Sequence, residues 1–579
     1  MRGSHVRQSA HFKTLKRHQG SFDSADCPQL CFCKKLEPPS SAQQLGSEAI
    51  KELSLRYQTI FSTQQTDQPE TTVRRLMRHW WIIVLIIPSI YLICRYPPLW
   101  KDIDAFWQLA AKADAVNILQ YPPVYCFLSR IPFNLASAIE GHSFHHNLLS
   151  KQTPTDLGVY LLVVAQHLAL VASLAYAVKA VSGSSGIGAV LCAVIFASMG
   201  GLYAQAQTCG SESWSTIAAI TVLASGYYLT KRPQRSAWIV YAIGLFFAIG
   251  SRHLNLLLAA WLPAVAISTG LILRSRNVGE RACWRTAAIA CCVSVIVLSV
   301  NLIIPHFLMA SIGQTYRPTI GRTLSDRVSS FLKSLPPEQR ISLADQLANK
   351  QTNPLLGQAI QIQATTGLGL KGTGEELANA LQHDGLSNAE SLEKSDELIL
   401  AESLVYLRTF HPALLEVIRN DIWTGLSTNQ RKIALSPFYS HLWAAEDMVR
   451  RPEFWKYLAG YSRLKVSDAN QVFAEATADP YISLWQHVPL WVSYVVVFVL
   501  AMGFVLLKRL SLVDLLVVVS ILMFGIALWT ANMMCVYYMD RYALSLLVPM
   551  VVALVFTVGT VCRHTPLERF PAEAGVSQG

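Results

Sequence analysis

The chain has 579 residues, 52% of them hydrophobic and only 15% charged, with a mean hydropathy of +0.33. Soluble domains carry about 25% charge, so this composition excludes an ordinary cytosolic enzyme or a disordered tail protein and indicates a multi-span membrane chain. The 48 Lys+Arg against 37 Asp+Glu leave a net +11, and the positions of those charges decide whether nucleic acid or topology accounts for it.

Residues 1–76 are polar, rich in Ser, Gln and Lys and without apolar periodicity, which predicts a disordered tail. Cys27, Cys31 and Cys33 form CxxxCxC there, but no second half follows to complete a metal site. Met77 followed by Arg78 and an apolar run reads as a natural start, with the upstream residues an extended frame or a dispensable tail. Ten apolar runs then follow, near 79–96, 157–178, 185–206, 214–230, 236–251, 254–273, 287–309, 488–507, 512–534 and 542–562. Between the first two lies the segment 97–155. Its run Trp100–Ala115 has helical spacing, with Leu99, Ile103, Phe106, Trp107 and Ala110 on one face, and predicts a helix lying on the membrane surface. Tyr121, Pro122 and Pro123 break it, and a second amphipathic stretch runs to about Ala138. Between the seventh and eighth runs, 310–487 is polar, free of cysteine and mainly helical in period. Its loop TTGLGLKGTG resembles a phosphate loop only loosely, because no strand precedes it and the GK[ST] ending is missing.

Basic residues mark alternate connections: Arg74, Arg75 and Arg78 before the first run, Lys179, then Lys231, Arg232 and Arg235, then Arg274, Arg276, Arg281 and Arg285, then Lys508 and Arg509, and Arg563. The positive-inside rule places these in the cytoplasm with both termini, and 97–155 and 310–487 outside. The +11 is thus a topology signal, and nucleic acid is not an expected partner; the lipid bilayer is. The predicted fold is an all-α polytopic transmembrane bundle of about ten spans, with interfacial helices in the first outside loop and a mainly helical extracytoplasmic insert. Its parts are the tail 1–76, a membrane module 77–310, the insert 311–487, the closing spans 488–562 and a tail 563–579.

Asp102 and Asp104 form an acidic pair directly beyond the first span. Such a pair can cap a helix and favour its dipole. At a water–membrane boundary, flanked by Trp100 and Trp107, it can also act as general base towards a hydroxyl arriving from water. Span, short linker, acidic pair, interfacial helix and an aromatic-Pro-Pro element together resemble the start of the GT-C glycosyltransferases, integral membrane enzymes that use polyprenyl-phosphate-linked sugars and include protein O-mannosyltransferases and lipid A aminoarabinose transferases. Three further elements are similar to that family: CGSESWSTIAAITVLAS with Glu212, GSRHLNLLLAAWLP with Arg252 and His253, and MDRYALSLLVP with Arg541. All four open to the same side in this topology.

The resemblance implies that Asp102 or Asp104 is the catalytic carboxylate, and that Trp107, Tyr121 and Glu212 contact substrate. Arg252, His253 and Arg541 would hold the donor phosphate, since guanidinium forks pair phosphate well. Glu212 also fits a metal ligand, an acceptor-orienting group or a helix cap. No cofactor is required, although the acidic pair leaves room for a divalent cation, Mg or Mn. The implied partners are a polyprenyl-phosphate-linked sugar and a glycan, lipid or protein acceptor, in a bacterial inner membrane. The best-known members have more spans, and the insert has no counterpart. The rival reading is a transporter or flippase for lipid-linked envelope precursors, which would place charges near bilayer midplanes. Gln166 and His167 inside the second run are expected to make bundle-facing hydrogen bonds, and HSFHH, with His142, His145 and His146, a solvated loop.

Overall fold

A computed structural model describes residues 79–101, 123–141, 155–182, 186–275, 281–311, 320–366, 370–450, 465–536 and 538–564. The chain divides into two units, Met1–Thr72 and Val73–Gly579, and every described residue lies in the second. The predicted surface helix beyond residue 101, the acidic pair, the CxxxCxC cysteines and HSFHH lie outside the described residues.

The chain is an all-α polytopic membrane protein, and all ten predicted apolar runs are helical. In order they are α1 Trp81–Arg95, then after α2 (Pro123–Ile139) α3 Asp156–Ser182, the pair α4 Ile187–Ala197 and α5 Gly200–Ala206, α6 Ser211–Lys231, α7 Arg235–Ser251, α8 Leu258–Ser275 and α9 Arg281–Ser311. After the insert come α18 Leu490–Leu506, α19 Leu512–Cys535 and α20 Leu544–His564. Five are individually long and apolar enough to cross a bilayer: α3, α8 with its 3-10 lead-in, α9, α19, and α20 with its own lead-in. The pair α4 and α5 meets that test only jointly and is bent by 64°. The helices α1, α7 and α18 have 15, 17 and 17 residues. At 1.5 Å per residue these fall short of the roughly 30 Å hydrocarbon core. Helix α20 is central, with 78% of its apolar window buried; α9 is peripheral at 22% and turns Val295, Ile296, Leu302, Ile303 and Phe307 outward. Large apolar side chains presented outward along a whole helix need hydrocarbon as their solvent.

The insert is helical, as its periodicity predicts: α10 Ile320–Ser334, α11 Pro337–Ala348, α12 Pro354–Thr366, α13 Leu370–His383, α14 Asn388–Leu407, α15 Pro412–Ser427, α16 Gln430–Arg450 and α17 Val466–Ala478. Helix α14 begins where Ser387 and Glu390 cap each other's backbone N–H groups, and α15 begins on Pro412, whose fixed φ suits a first turn. Helices α10 to α15 enclose their own cores, one around Val328, Phe331, Ile360 and Tyr406 and a smaller one around Leu377 and Ile399. Helices α16 and α17 instead lend Ile433, Phe438 and Ala476 to the main core. Helical periodicity carries no mark of that division, because both parts have an apolar face and only the partner differs.

Buried polar contacts tie the insert to the bundle, three of them at the end of α1, the turn after α19 and the segment after Pro98. Asp479 accepts the hydroxyls of Tyr91 and Tyr96 at 2.7 and 2.6 Å, with Arg95 at 3.3 Å. Arg327, fully buried, pairs with Asp421 at 2.7 Å and donates to the carbonyl of Val536. The third contact involves Trp100, which corrects one expectation. Leu99–Trp100 is not the start of a helix but strand β1, paired in parallel with β2, Thr208–Cys209. The Trp100 N–H then donates to Nδ1 of His441 on α16 at 2.9 Å. Residue 100 is thus held in extended pairing with Cys209 rather than in a helical turn.

His441 carries a pH dependence. Burial lowers its pKa from 6.5 to about 4, so the folded state holds a neutral ring while the unfolded chain binds a proton below 6.5. Between these values the unfolded state binds more protons, so stability rises with pH and is lost on acidification, by about 3 kcal/mol once pH falls below 4. Wild type should therefore lose more thermal stability between pH 7.5 and 4.5 than His441→Gln; equal acid sensitivity of the two would contradict this linkage.

Candidate functional site

The site is built on Glu212. Strand β1 and strand β2 run side by side with Leu99 opposite Thr208 and Trp100 opposite Cys209, which brings the next residue, Lys101, alongside Gly210. Glu212 follows in the first turn of α6, where a carboxylate is favoured by the helix dipole. Its carboxylate, 2% exposed, meets the Lys101 Nζ at 3.0 Å. Two guanidinium groups approach from elsewhere in the chain: Arg541 Nε at 3.6 Å and Arg252 Nη2 at 3.9 Å. Burial pushes the Glu212 carboxyl up, but Lys101, Arg252 and Arg541 together outweigh it and hold it below the usual carboxylate range. Gly210 packs closely at the crossing: a Cβ there would stand 2.8 Å from Lys101 Cδ and 2.9 Å from Glu212 Oε2, so one of these side chains would have to shift.

Each arginine is held by its own local structure. Helix α7 stops at Ser251, Arg252 is extended, and His253–Leu257 form a 3-10 turn leading into α8. Asn255 in that turn donates to Ser215 Oγ at 2.8 Å and to the carbonyl of Ala248 at 2.7 Å, tying the turn to α6 and α7. Arg541 sits in a second 3-10 turn, Asp540–Ala543, leading into α20. Both guanidinium groups lie against the ring of Tyr542, at 5.0 Å for Arg252 and 5.3 Å for Arg541. A shared aromatic face holds two like charges near one another at a gain of about 0.5–2 kcal/mol for each cation–π contact.

This cluster stands at the head of a cleft enclosing about 530 Å³, open solvent at its mouth included. Glu212, Ser215, Arg252, Asn255 and Tyr542 line its polar end. The walls continue as Leu223 of α6, Leu258 of α8, Phe524 and Leu528 of α19, and Val548 and Pro549 of α20. Thr216, Asn532 and Ser545 interrupt these walls. Arg252 is the cation among the lining residues, with Arg541 and Lys101 behind it around Glu212. A cation at the head of a largely apolar cleft suits an anionic headgroup with an apolar tail.

Of the residues expected at a site, the fold brings together Glu212, Arg252 and Arg541. His253 is half-buried beside Arg252 and lies outside the cleft. Asp102, Asp104, Trp107 and Tyr121 lie outside the described residues. Pro263 lies inside α8, within the predicted run 254–273. Among the described residues no group of three His, Cys, Asp or Glu side chains is arranged to hold a metal ion. Glu212 with three cations around it is a poor donor for a divalent ion, since the local charge opposes one. Gln166 donates to the carbonyls of Ala206 and Thr208, at 2.9 and 3.0 Å, and His167 bridges Ser89 and Gln207 at 3.1 and 3.0 Å, so both bind the bundle to itself.

Lys101, Tyr542 and Gly210 are the residues that sequence reasoning missed. Lys101 was in view, one residue before the acidic pair, but a lysine beside two aspartates ordinarily marks a solvated helix face. Its burial, at 9% exposure, is what makes it part of the site.

The chain matches no protein-family model and no curated protein. Among solved structures it is similar to the archaeal oligosaccharyltransferase AglB from Archaeoglobus fulgidus, determined in complex with an inhibitory peptide and a dolichol-phosphate, at a TM-score of 0.36 and 10% identity. The likeness covers 84% of this chain and 50% of that one, so the chain spans about half the length of that protein. A likeness this distant says nothing of activity.

Proposed function

We propose that the chain is a membrane glycosyltransferase that moves a sugar from a polyprenyl-phosphate donor to an acceptor hydroxyl on the extracytoplasmic face of a bacterial inner membrane, with both termini cytoplasmic. What supports this reading is the convergence of Arg252 and Arg541 on Glu212, with Glu212 and Arg252 at the head of a largely apolar cleft between α6, α8, α19 and α20. A polyprenyl phosphate has the matching shape: a small anion that guanidinium forks grip and a hydrocarbon chain that the cleft walls and the bilayer solvate.

In this reading the donor enters sideways from the membrane. Asp104 or Asp102 takes the proton of the acceptor hydroxyl as its oxygen attacks the anomeric carbon. The bond from that carbon to the phosphate oxygen breaks, its electron pair leaves with the lipid phosphate, and the sugar is inverted. The leaving phosphate gains a negative charge, which the preorganised arginines stabilise. Trp107 and Tyr121 would border the sugar and the acceptor.

Replacing Asp102 and Asp104 together by Asn separates this reading from a lipid-phosphate transporter. The enzyme loses transfer by at least about 10²-fold, the usual contribution of a general base, while binding of the lipid phosphate persists. Sugar transfer undiminished in the double variant, measured with purified protein and a lipid-linked donor, would sink the mechanism.

A further inference from the structure

The cation cluster has an anion at its centre that the proposed chemistry does not use. Held ionised by three positive charges, Glu212 is a weak base, and the same charges oppose a metal ion there. Its geometry points elsewhere. The three cations come from three distant segments: Lys101 after β1, Arg252 at the end of α7 and Arg541 in the turn before α20. Glu212 is the group common to all of them. Its contacts also differ in kind. Lys101 is within hydrogen-bond distance at 3.0 Å, a closed and almost fully buried pair. The arginine nitrogens stand at 3.6 and 3.9 Å, drawn in by charge but beyond hydrogen-bond reach of this carboxylate.

We propose that Glu212 is a positioning residue: locked in place by Lys101, it draws Arg252 and Arg541 together and sets the spacing at which they grip the phosphate of the lipid donor. Gly210 lies beneath this pair, where an added Cβ would press on Lys101 Cδ and Glu212 Oε2. The proposal rests on reading the cleft as the donor-phosphate site, and it gives Glu212 a role through the arginines rather than through sugar, acceptor or metal.

The two possible influences of Glu212 have opposite signs, which makes them separable. As a bystander charge it would repel phosphate, so Glu212→Gln would tighten binding. As a positioning residue it keeps two like-charged groups converged, so the same change lets them separate and weakens binding. The test is the affinity of the full-length protein in nanodiscs for a polyprenyl monophosphate, together with donor KM and kcat. Glu212→Gln is expected to weaken binding about tenfold or more and raise KM in step, and to lower kcat as well, because the same arginines stabilise the leaving phosphate. Glu212→Asp recovers part of the loss. Gly210→Ala is the second variant, because it preserves all four charges while displacing Lys101 and Glu212 from their present positions; it should weaken binding in the same direction as Glu212→Gln, and it carries the test if Glu212→Gln does not fold. Arg252→Ala is measured alongside. Binding lost in Arg252→Ala but unchanged or tightened in Glu212→Gln, or unchanged in Gly210→Ala, overturns the positioning role alone. Binding unaffected in Arg252→Ala and Arg541→Ala overturns the donor-site reading itself.

Discussion

Gly425→Ala is expected to be among the most destabilising single substitutions in this protein, by about 3 kcal/mol or more. Gly425 lies in the last turn of α15, where the insert rests on α19, and a Cβ at that position would overlap the indole of Trp529, with Cη2 2.6 Å away and Cζ2 and Cε2 closer still. Relief by moving the ring is costly. Trp529 is fully buried, and its indole N–H donates to the carbonyl of Ile422 on the same helix at 3.1 Å, so a displaced ring leaves a buried donor without its partner. Overpacking a tight core ordinarily costs about 1–3 kcal/mol, and here the lost hydrogen bond adds to it. The substitution should lower the unfolding temperature in detergent and expose the insert to limited proteolysis. Gly503→Ala, in α18 with open space around it, serves as the control and should be neutral or stabilising, by up to about 1 kcal/mol. Indistinguishable unfolding of the Gly425 variant and wild type would show that α15 is not seated on Trp529 as described.

Removing both arginines should have the largest effect on function. A charge-assisted hydrogen bond contributes about 1.5–3 kcal/mol, and each 1.4 kcal/mol is a factor of ten. Arg252→Ala or Arg541→Ala should then cost roughly 10–100-fold in kcat/KM for a lipid-phosphate donor, and the pair about 10²–10⁴-fold. Lysine should restore either position only in part. An ammonium keeps the charge but loses the planar fork and much of the packing on Tyr542 that holds both groups over one ring. Tyr542→Phe keeps the ring and should be mild, whereas Tyr542→Ala should resemble the loss of one arginine. The decisive measurement is steady-state transfer with purified protein and a defined lipid-linked donor; wild-type kcat/KM in the double alanine variant is the result that rules the arginines out.

The two stability determinants at the seam between insert and bundle differ in what would have revealed them. Gly425 stands in TGLS, an unremarkable helix end, and nothing local distinguishes it from Gly503 in the middle of an apolar span. Steric demand on a glycine arises from the neighbour, and Trp529 is more than one hundred residues away in the chain. His441 likewise reads as an ordinary polar residue in an amphipathic helix, until β1 brings the Trp100 N–H against it.

The amino-acid sequence by itself determined that this is a helical membrane protein and where its apolar helices run. Hydropathy and helical period are local properties, summed over windows of about twenty residues, and each window reports on its own surroundings. It also singled out Glu212, Arg252 and Arg541, because they are among the few charged residues at the run ends opposite the basic connections. The tertiary structure alone decided that these three share one cluster, that Lys101 closes it, and that an apolar cleft opens beneath it. It also decided that a short parallel strand pair, rather than a helix, carries Lys101 to Glu212. Those outcomes depend on backbone hydrogen bonds and ion pairs between residues separated by 40 to 329 positions in the chain. Such pairings leave no period in the sequence, since a charge satisfied by a distant partner and a charge satisfied by water are written with the same residue.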